Sequence, residues 1–209
     1  MDKIDLSKER ADLYKPSAKA PVLVDVPEWQ YIMIDGRGDP NTSKEYQDAI
    51  AALYSISYIL KFMVKKGPTA VDYRVMPLEG LWWAKDMAEF TAGSKDNWFW
   101  TMMIRQPEFI TAAMYKEALA KAKEKAKAET GVLKQLSALY FAQLTEGKCA
   151  TIMHIGPFSA EGPTIAGLHK FIRDQGMKPA GKHHEIYLSD IRKADPAKWK
   201  TVLRQPVGK

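Results

Sequence analysis

The chain has 209 residues, 46% hydrophobic and 27% charged, a composition that excludes disordered and fibrous proteins and suffices for a sizeable core. Its net charge is +6, but in residues 116–134 six lysines outnumber three glutamates, so little charge remains elsewhere for a nucleic-acid-binding face. The single cysteine, Cys149, excludes an internal disulfide or a cysteine-rich zinc site. A polar N-terminal segment without a secretory signal, and no apolar run of membrane-spanning length, predict a soluble cytoplasmic protein.

Residues 1–20 are predicted to form an N-terminal arm, and residues 21–207 a single domain made of two repeats. The first repeat, about 21–106, is predicted to run strand, helix, strand, strand. Its elements are a strand at about 22–35, a helix opened by a Thr42-x-x-Glu45 capping box and ending at Lys66, and strands at 71–83 and 97–105 joined by a charged loop at 84–96. Gly36 and Gly38 after the first strand are expected to supply backbone angles that other residues avoid.

A helical connection is predicted over residues 107–146, with one helix starting at Pro107 and another at about 131–145 that includes Tyr140 and Leu144. The lysines of this region are most simply a solvated helix face.

The second repeat, about 147–207, is predicted to repeat the order of the first. Its elements are a strand at 149–158, a helix from Pro163, a strand at 183–192, a short helix at Asp195-Pro196 and a last strand. Ile-Met-x-x-Gly occurs at both 32–36 and 152–156. The sequence therefore predicts an α+β fold of tandem strand-helix-strand-strand repeats with pseudo-two-fold symmetry, and antiparallel sheets with helices on one side and a ligand groove on the other.

The segment His183-His184-Glu185-Ile186-Tyr187 contains the strongest candidate for chemistry. Alternation along a strand places Glu185 and Tyr187 on one face with His183, about 6–7 Å apart. Ile186 is expected to pack on the helices, which would put Glu185 and Tyr187 on the opposite side of the sheet. The simpler alternative is an exposed strand face that carries a polar pair.

Four of the six tryptophans lie within residues 82–100. Alternation predicts that Trp98, Trp100 and Met102 share one strand face. A bulky core explains such a cluster, and so does the aromatic wall of a binding pocket. If the two repeats face each other across a groove, Glu185 would be a single acid in an aromatic pocket, where low polarity makes a carboxyl a usable base near neutral pH.

Other chemistry is not favoured by the sequence. Neighbouring strand residues point apart, so His183 and His184 are not expected to bind one metal ion, and no metal or cofactor is predicted. His154 and His169 are interpreted as structural, and Cys149 as a small buried residue. No phosphate-binding loop, dinucleotide fingerprint or nucleophile elbow is present.

Several segments together resemble the GyrI-like small-molecule-binding proteins over about residues 21–207. They are Val75-Met76-Pro77-Leu78 with Glu79-Gly-Leu-Trp-Trp83, the segment Lys182-His-His-Glu-Ile-Tyr-Leu-Ser-Asp190, and the ending Leu203-Arg-Gln-Pro-Val207. The resemblance implies a tandem strand-helix-strand-strand fold with a ligand groove between the repeats. Relatives include the ligand-binding domains of multidrug-responsive activators and hydrolases that open the cyclopropane ring of DNA-alkylating toxins. This chain has no room in its first 20 residues for a helix-turn-helix.

By motif match, the resemblance implies that Glu185 is the acid of the pocket and Tyr187 the neighbouring hydroxyl. A further set is predicted to bind an aromatic or lipophilic ligand: Trp82, Trp83, Trp98, Trp100, Tyr54, Tyr58 and Met102. We predict cyclopropanoid hydrolysis, with Glu185 drawing a proton from water. Two alternatives stay open, which are capture of cationic lipophilic drugs without turnover, and a protein-partner role of the basic helix at 116–134.

Overall fold

The computed structural model describes residues 3–84 and 97–209. The strands are β1 Val22–Val26, β2 Trp29–Arg37, β3 Leu78–Trp83, β4 Phe99–Arg105, β5 Tyr140–Leu144, β6 Gly147–Ile155, β7 Lys178–Pro179, β8 His183–Tyr187 and β9 Lys200–Gly208. The α-helices are α1 Leu6–Glu9, α2 Ala11–Tyr14, α3 Lys44–Lys66, α4 Ala112–Lys125, α5 Thr130–Ala138 and α6 Gly162–Asp174. Within these described residues, no helix is both long enough and apolar enough to span a bilayer.

The predicted α+β class is confirmed, and the strand-helix-strand-strand order occurs twice along the chain, as β2-α3-β3-β4 and as β6-α6-β8-β9. The described residues divide into two compact units. The first contains residues up to 6, 29–76 and 82–144, and the second contains 7–28, 77–81 and 145–209. Strand β1 and most of β3 thus belong to the same unit as the C-terminal residues.

In the first unit, β2 pairs antiparallel with β4 on one side and with β5 on the other. Helix α3 begins after Ser43, whose hydroxyl accepts a hydrogen bond from the Tyr46 amide over 3.2 Å. The capping residue is therefore Ser43 rather than the predicted Thr42, while the predicted end at Lys66 is confirmed. The α3 side chains Leu53, Ile56 and Leu60 are fully buried at helical spacing.

In the second unit, β9 lies between β6 and β8, and β1 pairs with the far side of β6. All of these pairings are antiparallel. Leu168 and Ile172 of α6 pack on Ile152 of β6 and Leu203 of β9 and form a buried core. The apolar stripe predicted on this helix is thus the contact with the sheet.

Several predicted elements differ from the observed ones. The strand expected at 22–35 is two strands, because Pro27 lacks the amide hydrogen that a continuous ladder needs. Of the strand expected at 71–83, only β3 forms. The strand expected at 183–192 ends at Tyr187, and the short helix after Asp195 is a 3-10 turn over Pro196–Lys198.

The connection predicted as helical at 107–146 contains α4, α5 and a strand. Helix α4 begins at Ala112 rather than at Pro107, because the Thr111 hydroxyl caps it by accepting from the Met114 amide. The second predicted helix ends at Ala138, and Tyr140–Leu144 is β5, paired with β2. The charged loop predicted at 84–96 lies outside the described residues except for Ala84.

The N-terminal arm contributes to the core of the second unit. Leu13 and Tyr14 of α2 are 0% and 1% exposed. Most of the other residues in 7–20 are exposed, so this segment packs on the second unit through a few side chains.

The glycines after β2 have two different roles. Gly38 has a φ of +100°, which confirms a backbone conformation that other residues avoid. Gly36 has no such φ; it pairs with Trp100 across the ladder, and a Cβ at this position would overlap the Trp100 ring. Gly36 is therefore required for the close approach of an indole to the strand.

Candidate functional site

Glu185 and Tyr187 form a hydrogen-bonded pair on β8. The Tyr187 hydroxyl donates to Oε2 of Glu185 over 2.8 Å, and the Glu185 side chain is 12% exposed. His183, two residues earlier, places Nε2 3.5 Å from the other carboxylate oxygen, Oε1. Glu185 and Tyr187 thus share one strand face, but they are joined by a hydrogen bond rather than lying about 6–7 Å apart as expected. Part of the carboxylate remains accessible.

This pair lies on the face of the sheet that carries α6, which is the reverse of our prediction. Directly opposed residues of an antiparallel ladder point the same way, and Glu185 opposes Leu203, which packs against α6. Ile186 points to the other face and is fully buried there. That face is covered by the N-terminal segment, since Arg204 donates to the Leu13 carbonyl. An apolar side chain on β8 therefore does not identify the helix-bearing face.

Two aromatic side chains near Tyr187 were not predicted. The Phe158 ring meets the Tyr187 ring edge to face at 5.5 Å and lies 5.0 Å from the Trp199 ring. The Trp199 Nε1–H donates to the Ala194 carbonyl over 2.9 Å, which fixes the indole. Phe158 follows β6 and Trp199 precedes β9, so their proximity depends on a strand pairing that local sequence does not reveal.

The first unit holds an aromatic cluster on the face of β4 that carries α3. The Trp82 ring lies 5.8 Å from Trp98 and 6.1 Å from Tyr46, and Tyr46 meets Trp100 edge to face at 5.2 Å. Trp100 and Met102, both predicted to bind a ligand, are fully buried and offer no surface to one, while Trp98 is half-buried. Tyr46 was not predicted, although its place one turn into α3 could have suggested a contact with the strands.

The remaining predicted ligand-binding residues of the first unit make ring contacts of their own. Trp83 points to the opposite strand face, where it stacks on Phe99 at 5.8 Å with an interplanar angle of 17°. Tyr54 and Tyr58 stack on each other along α3 at 6.4 Å, and Tyr58 is 49% exposed. The structure thus joins three of the four clustered tryptophans and separates Trp83 from them.

A buried network of charges lies on the other face of β8 in the second unit. His184 is held between two carboxylates, with Nδ1 2.9 Å from Glu146 Oε1 and Nε2 3.0 Å from Glu79 Oε2. Arg204 Nη1 donates to Glu146 Oε2 over 2.9 Å, and the Tyr14 hydroxyl donates to Glu79 Oε1 over 3.2 Å. The side chains of His184, Glu146, Glu79 and Arg204 are at most 4% exposed.

The charges of this network stabilise each other. Burial alone would lower the pKa of His184, but the charge and hydrogen bond of Glu146 and the hydrogen bond of Glu79 raise it to about 9. Burial would likewise raise the pKa of Glu146, but His184 and Arg204 outweigh it and lower that pKa to about 2. The network therefore contains an imidazolium and a carboxylate at neutral pH.

Two structural interpretations are confirmed in the second unit. His154 Nδ1 lies 3.0 Å from the Thr164 hydroxyl and Nε2 lies 3.3 Å from the Pro157 carbonyl, so both ring nitrogens have partners. Cys149 is fully buried, and burial raises the pKa of its thiol to about 12. Neither residue is suited to act on a ligand.

The basic stretch is a solvated helix face, as predicted. Lys121 pairs with Glu117 at 2.7 Å and Lys127 with Glu124 at 2.6 Å, and all four side chains are more than half exposed. Such pairs contribute little to stability or to a specific interface.

The chain belongs to the GyrI-like small molecule binding domain family, whose model matches residues 19–207. It is 42% identical to an uncharacterized conserved protein from Listeria innocua, with a TM-score of 0.87 over 99% of this chain and 100% of that one. It is 40% identical to a hydrolase from Listeria innocua, with a TM-score of 0.83 and the same coverage. A hydrolase encoded by lin2189 from Listeria innocua is also 40% identical, with a TM-score of 0.85. None of the curated proteins matches the chain.

Proposed function

We propose that this protein hydrolyses the cyclopropane ring of cyclopropanoid DNA-alkylating compounds, with Glu185 as the general base. The proposal depends above all on the Glu185–Tyr187 pair, in which an accessible carboxylate accepts a hydrogen bond of 2.8 Å from a phenol. Hydrolases of Listeria innocua at 40% identity support a hydrolytic reaction. The resemblance of the segment from Lys182 to Asp190 supports this class of substrate.

In the proposed step, Glu185 takes a proton from a water molecule whose oxygen bonds to a ring carbon. The strained carbon–carbon bond breaks, its electron pair moves into the conjugated carbonyl, and the carbonyl oxygen takes up a proton. The product is an alcohol that no longer alkylates. General-base assistance of this kind contributes about 10²–10⁴-fold. Tyr187 orients the carboxylate because its hydroxyl donates a hydrogen bond to Oε2. The other oxygen, Oε1, is the one proposed to accept the proton.

The flat rings of a ligand are proposed to bind to Tyr46 and Trp98, because these are half-buried while Trp82 is only 3% exposed. Trp98 is half-buried and therefore has indole surface to offer. Each aromatic contact contributes about 0.5–1.5 kcal/mol beyond the area that it buries.

Turnover tests the proposal directly. The protein is incubated with a large excess of a cyclopropyl dienone alkylating agent, and mass spectrometry measures the product that has gained one water. We expect many equivalents of hydrated product per protein, above the rate in buffer. Stoichiometric binding without product would instead support sequestration and overturn the hydrolase.

Replacing single tryptophans tests which strand face binds the substrate. We expect Trp98→Ala to raise KM about 2- to 10-fold, because one aromatic contact is lost. Trp83→Ala is the matched control, since Trp83 stacks on Phe99 on the opposite face, and its KM should stay close to wild type. The reverse result would place the substrate on the other face. Steady-state kinetics of both variants provide the comparison.

A further inference from the structure

A groove in the first unit lies between the second half of α3 and α4. Its volume is about 670 Å³, within the range of about 300–1,000 Å³ that is typical of small-molecule sites. Four residues along one side of α4 line it, namely Met114, Glu117, Lys121 and Lys125. At a rise of about 1.5 Å per residue this stripe is about 16 Å long. The groove therefore has the length for an extended chain of atoms.

Four apolar side chains also line the groove. Ile59, Phe62 and Met63 come from α3, and Met114 comes from α4. Phe62 is 48% exposed, and the other three are half-buried. Apolar surface gains free energy when it leaves water, and methionine side chains adjust easily to the shape of an apolar partner. These residues therefore offer a contact surface for a hydrocarbon chain.

The charged residues of the lining are three lysines and one glutamate, so the groove has an excess of positive charge. Glu117 pairs with Lys121 at 2.7 Å. Among the described residues, neither of the other two lysines has an ion pair, and Nζ of Lys66 lies 6.0 Å from the centre of the Phe62 ring. The charges of Lys66 and Lys125 are therefore available to an anion beside the apolar lining. A second copy of the chain would bring the same positive charge to the groove, which disfavours self-association through it.

We propose that this groove binds a single-chain fatty acid in its ionised form. The acyl chain lies on the apolar lining, and the carboxylate lies beside the ammonium group of Lys66 or Lys125. A flat bilayer does not enter a groove between two helices. An α-helix with its side chains is about 10–12 Å wide, which is too wide for a groove of this volume and length. No lining residue takes part in the proposed hydrolysis, so the inference does not depend on it.

Isothermal titration calorimetry with dodecanoate, below the concentration at which it forms micelles, tests the proposal. We expect one equivalent to bind to wild type, and Lys66→Glu/Lys125→Glu to weaken binding at least about tenfold. Lys116→Glu/Lys123→Glu is the matched control, because it changes the net charge equally. Both of its residues are two positions from a lining residue of α4, and such positions do not share a helix face. The control should bind within about twofold of wild type.

The apolar lining is tested by Phe62→Glu, which should remove measurable binding, with Phe62→Leu within about threefold of wild type as its control. Because Phe62 is 48% exposed, we expect both variants to fold, and circular dichroism checks this. Both should hydrolyse a cyclopropyl dienone as wild type does, so failure of the proposed function does not affect the result.

Three outcomes would overturn the inference. The first is no saturable binding of dodecanoate, or equal losses in the two double-lysine variants. The second is dodecyltrimethylammonium binding as tightly as dodecanoate, since the same chain with a cationic head should bind at least about tenfold more weakly. The third is that Phe62→Glu abolishes binding to phosphatidylglycerol vesicles or a dimer seen by size-exclusion chromatography, while dodecanoate does not bind. This last result would assign the groove to a membrane or to a second copy of the chain.

Discussion

Glu146→Ala is expected to lower the free energy of unfolding by about 3–5 kcal/mol, the usual cost of removing one partner of a buried ion pair. The carboxylate binds Arg204 and His184 at 2.9 Å each. Both cations are 0% exposed, so without Glu146 the buried Arg204 loses this carboxylate and His184 is left with Glu79. Urea denaturation measures the change, with the slope compared to wild type to confirm that the unfolded state is the same.

Glu117→Ala is the matched control for this variant. Glu117 also pairs with a cation, Lys121 at 2.7 Å, but both side chains are more than half exposed. Its loss should cost about 0.5 kcal/mol or less. Equal effects of the two substitutions would show that the buried network contributes no more than a surface pair. If Glu146→Ala does not fold, Glu146→Gln keeps the size of the side chain and permits the same comparison.

The same network makes stability depend on pH in a defined direction. The pKa of His184 is raised from 6.5 to about 9, so its contribution is complete below 6.5 and is lost as the pH rises toward 9. The pKa of Glu146 is lowered from 4.5 to about 2, so its contribution is complete above 4.5 and is lost as the pH falls toward 2. The free energy of unfolding of the wild-type protein should therefore fall below pH 4.5 and above pH 6.5. The same changes of pH should lower that of Glu146→Ala by less.

Local sequence patterns were sufficient to predict the repeated order of elements and the strand face that Glu185 and Tyr187 share. Alternation of side chains along a strand depends only on the backbone, so Glu185 beside Tyr187 and Trp98 with Trp100 could be deduced without knowledge of the partners. The paired Ile-Met-x-x-Gly segments also occupy equivalent places. Ile32 and Ile152 both lie on the helix-bearing face of their strands, while Met33 and Met153 point away.

Features that depend on contacts between residues far apart in the sequence could not be predicted from local patterns. Tyr140 and Leu144 continue an apolar pattern at helical spacing, but pairing with β2 makes the segment a strand. The contact of Glu79 with His184 joins residues 105 positions apart. Neither the residue types nor their spacing indicates that Glu79, a few residues before two tryptophans in the sequence, contacts a histidine on another strand.

The prediction placed Glu185 on the wrong face of the sheet, and the physical reason for this error matters for function. We expected the apolar neighbour of Glu185 to mark the helix-bearing side, which holds for a sheet with one solvated face. In this protein the N-terminal segment closes the other face, and His184 lies there within the buried network. The burial of both faces fixes β8, and with it the orientation of the Glu185 carboxylate toward the side of α6.

Glu185→Gln should lower kcat/KM for a cyclopropyl dienone by about 10²–10⁴-fold, since the amide cannot accept a proton from water. The amide oxygen can still accept the Tyr187 hydrogen bond, so we expect the fold and the stacking of the substrate to be kept. Thermal unfolding measures whether the fold is kept. Binding of a saturated analogue without the cyclopropane measures whether the substrate still stacks. Tyr187→Phe should cost less, because it removes only the group that orients the carboxylate.

Asp190→Asn is the matched control, since Asp190 follows the same strand but is exposed and pairs with Arg192 at 3.0 Å. It should hydrolyse the substrate at the wild-type rate. Near-wild-type turnover by Glu185→Gln would mean that another group activates the water, even if the substrate binds where we propose. Loss of binding together with turnover would instead assign Glu185 to ligand capture. Only loss of turnover with binding intact identifies the carboxylate as the base.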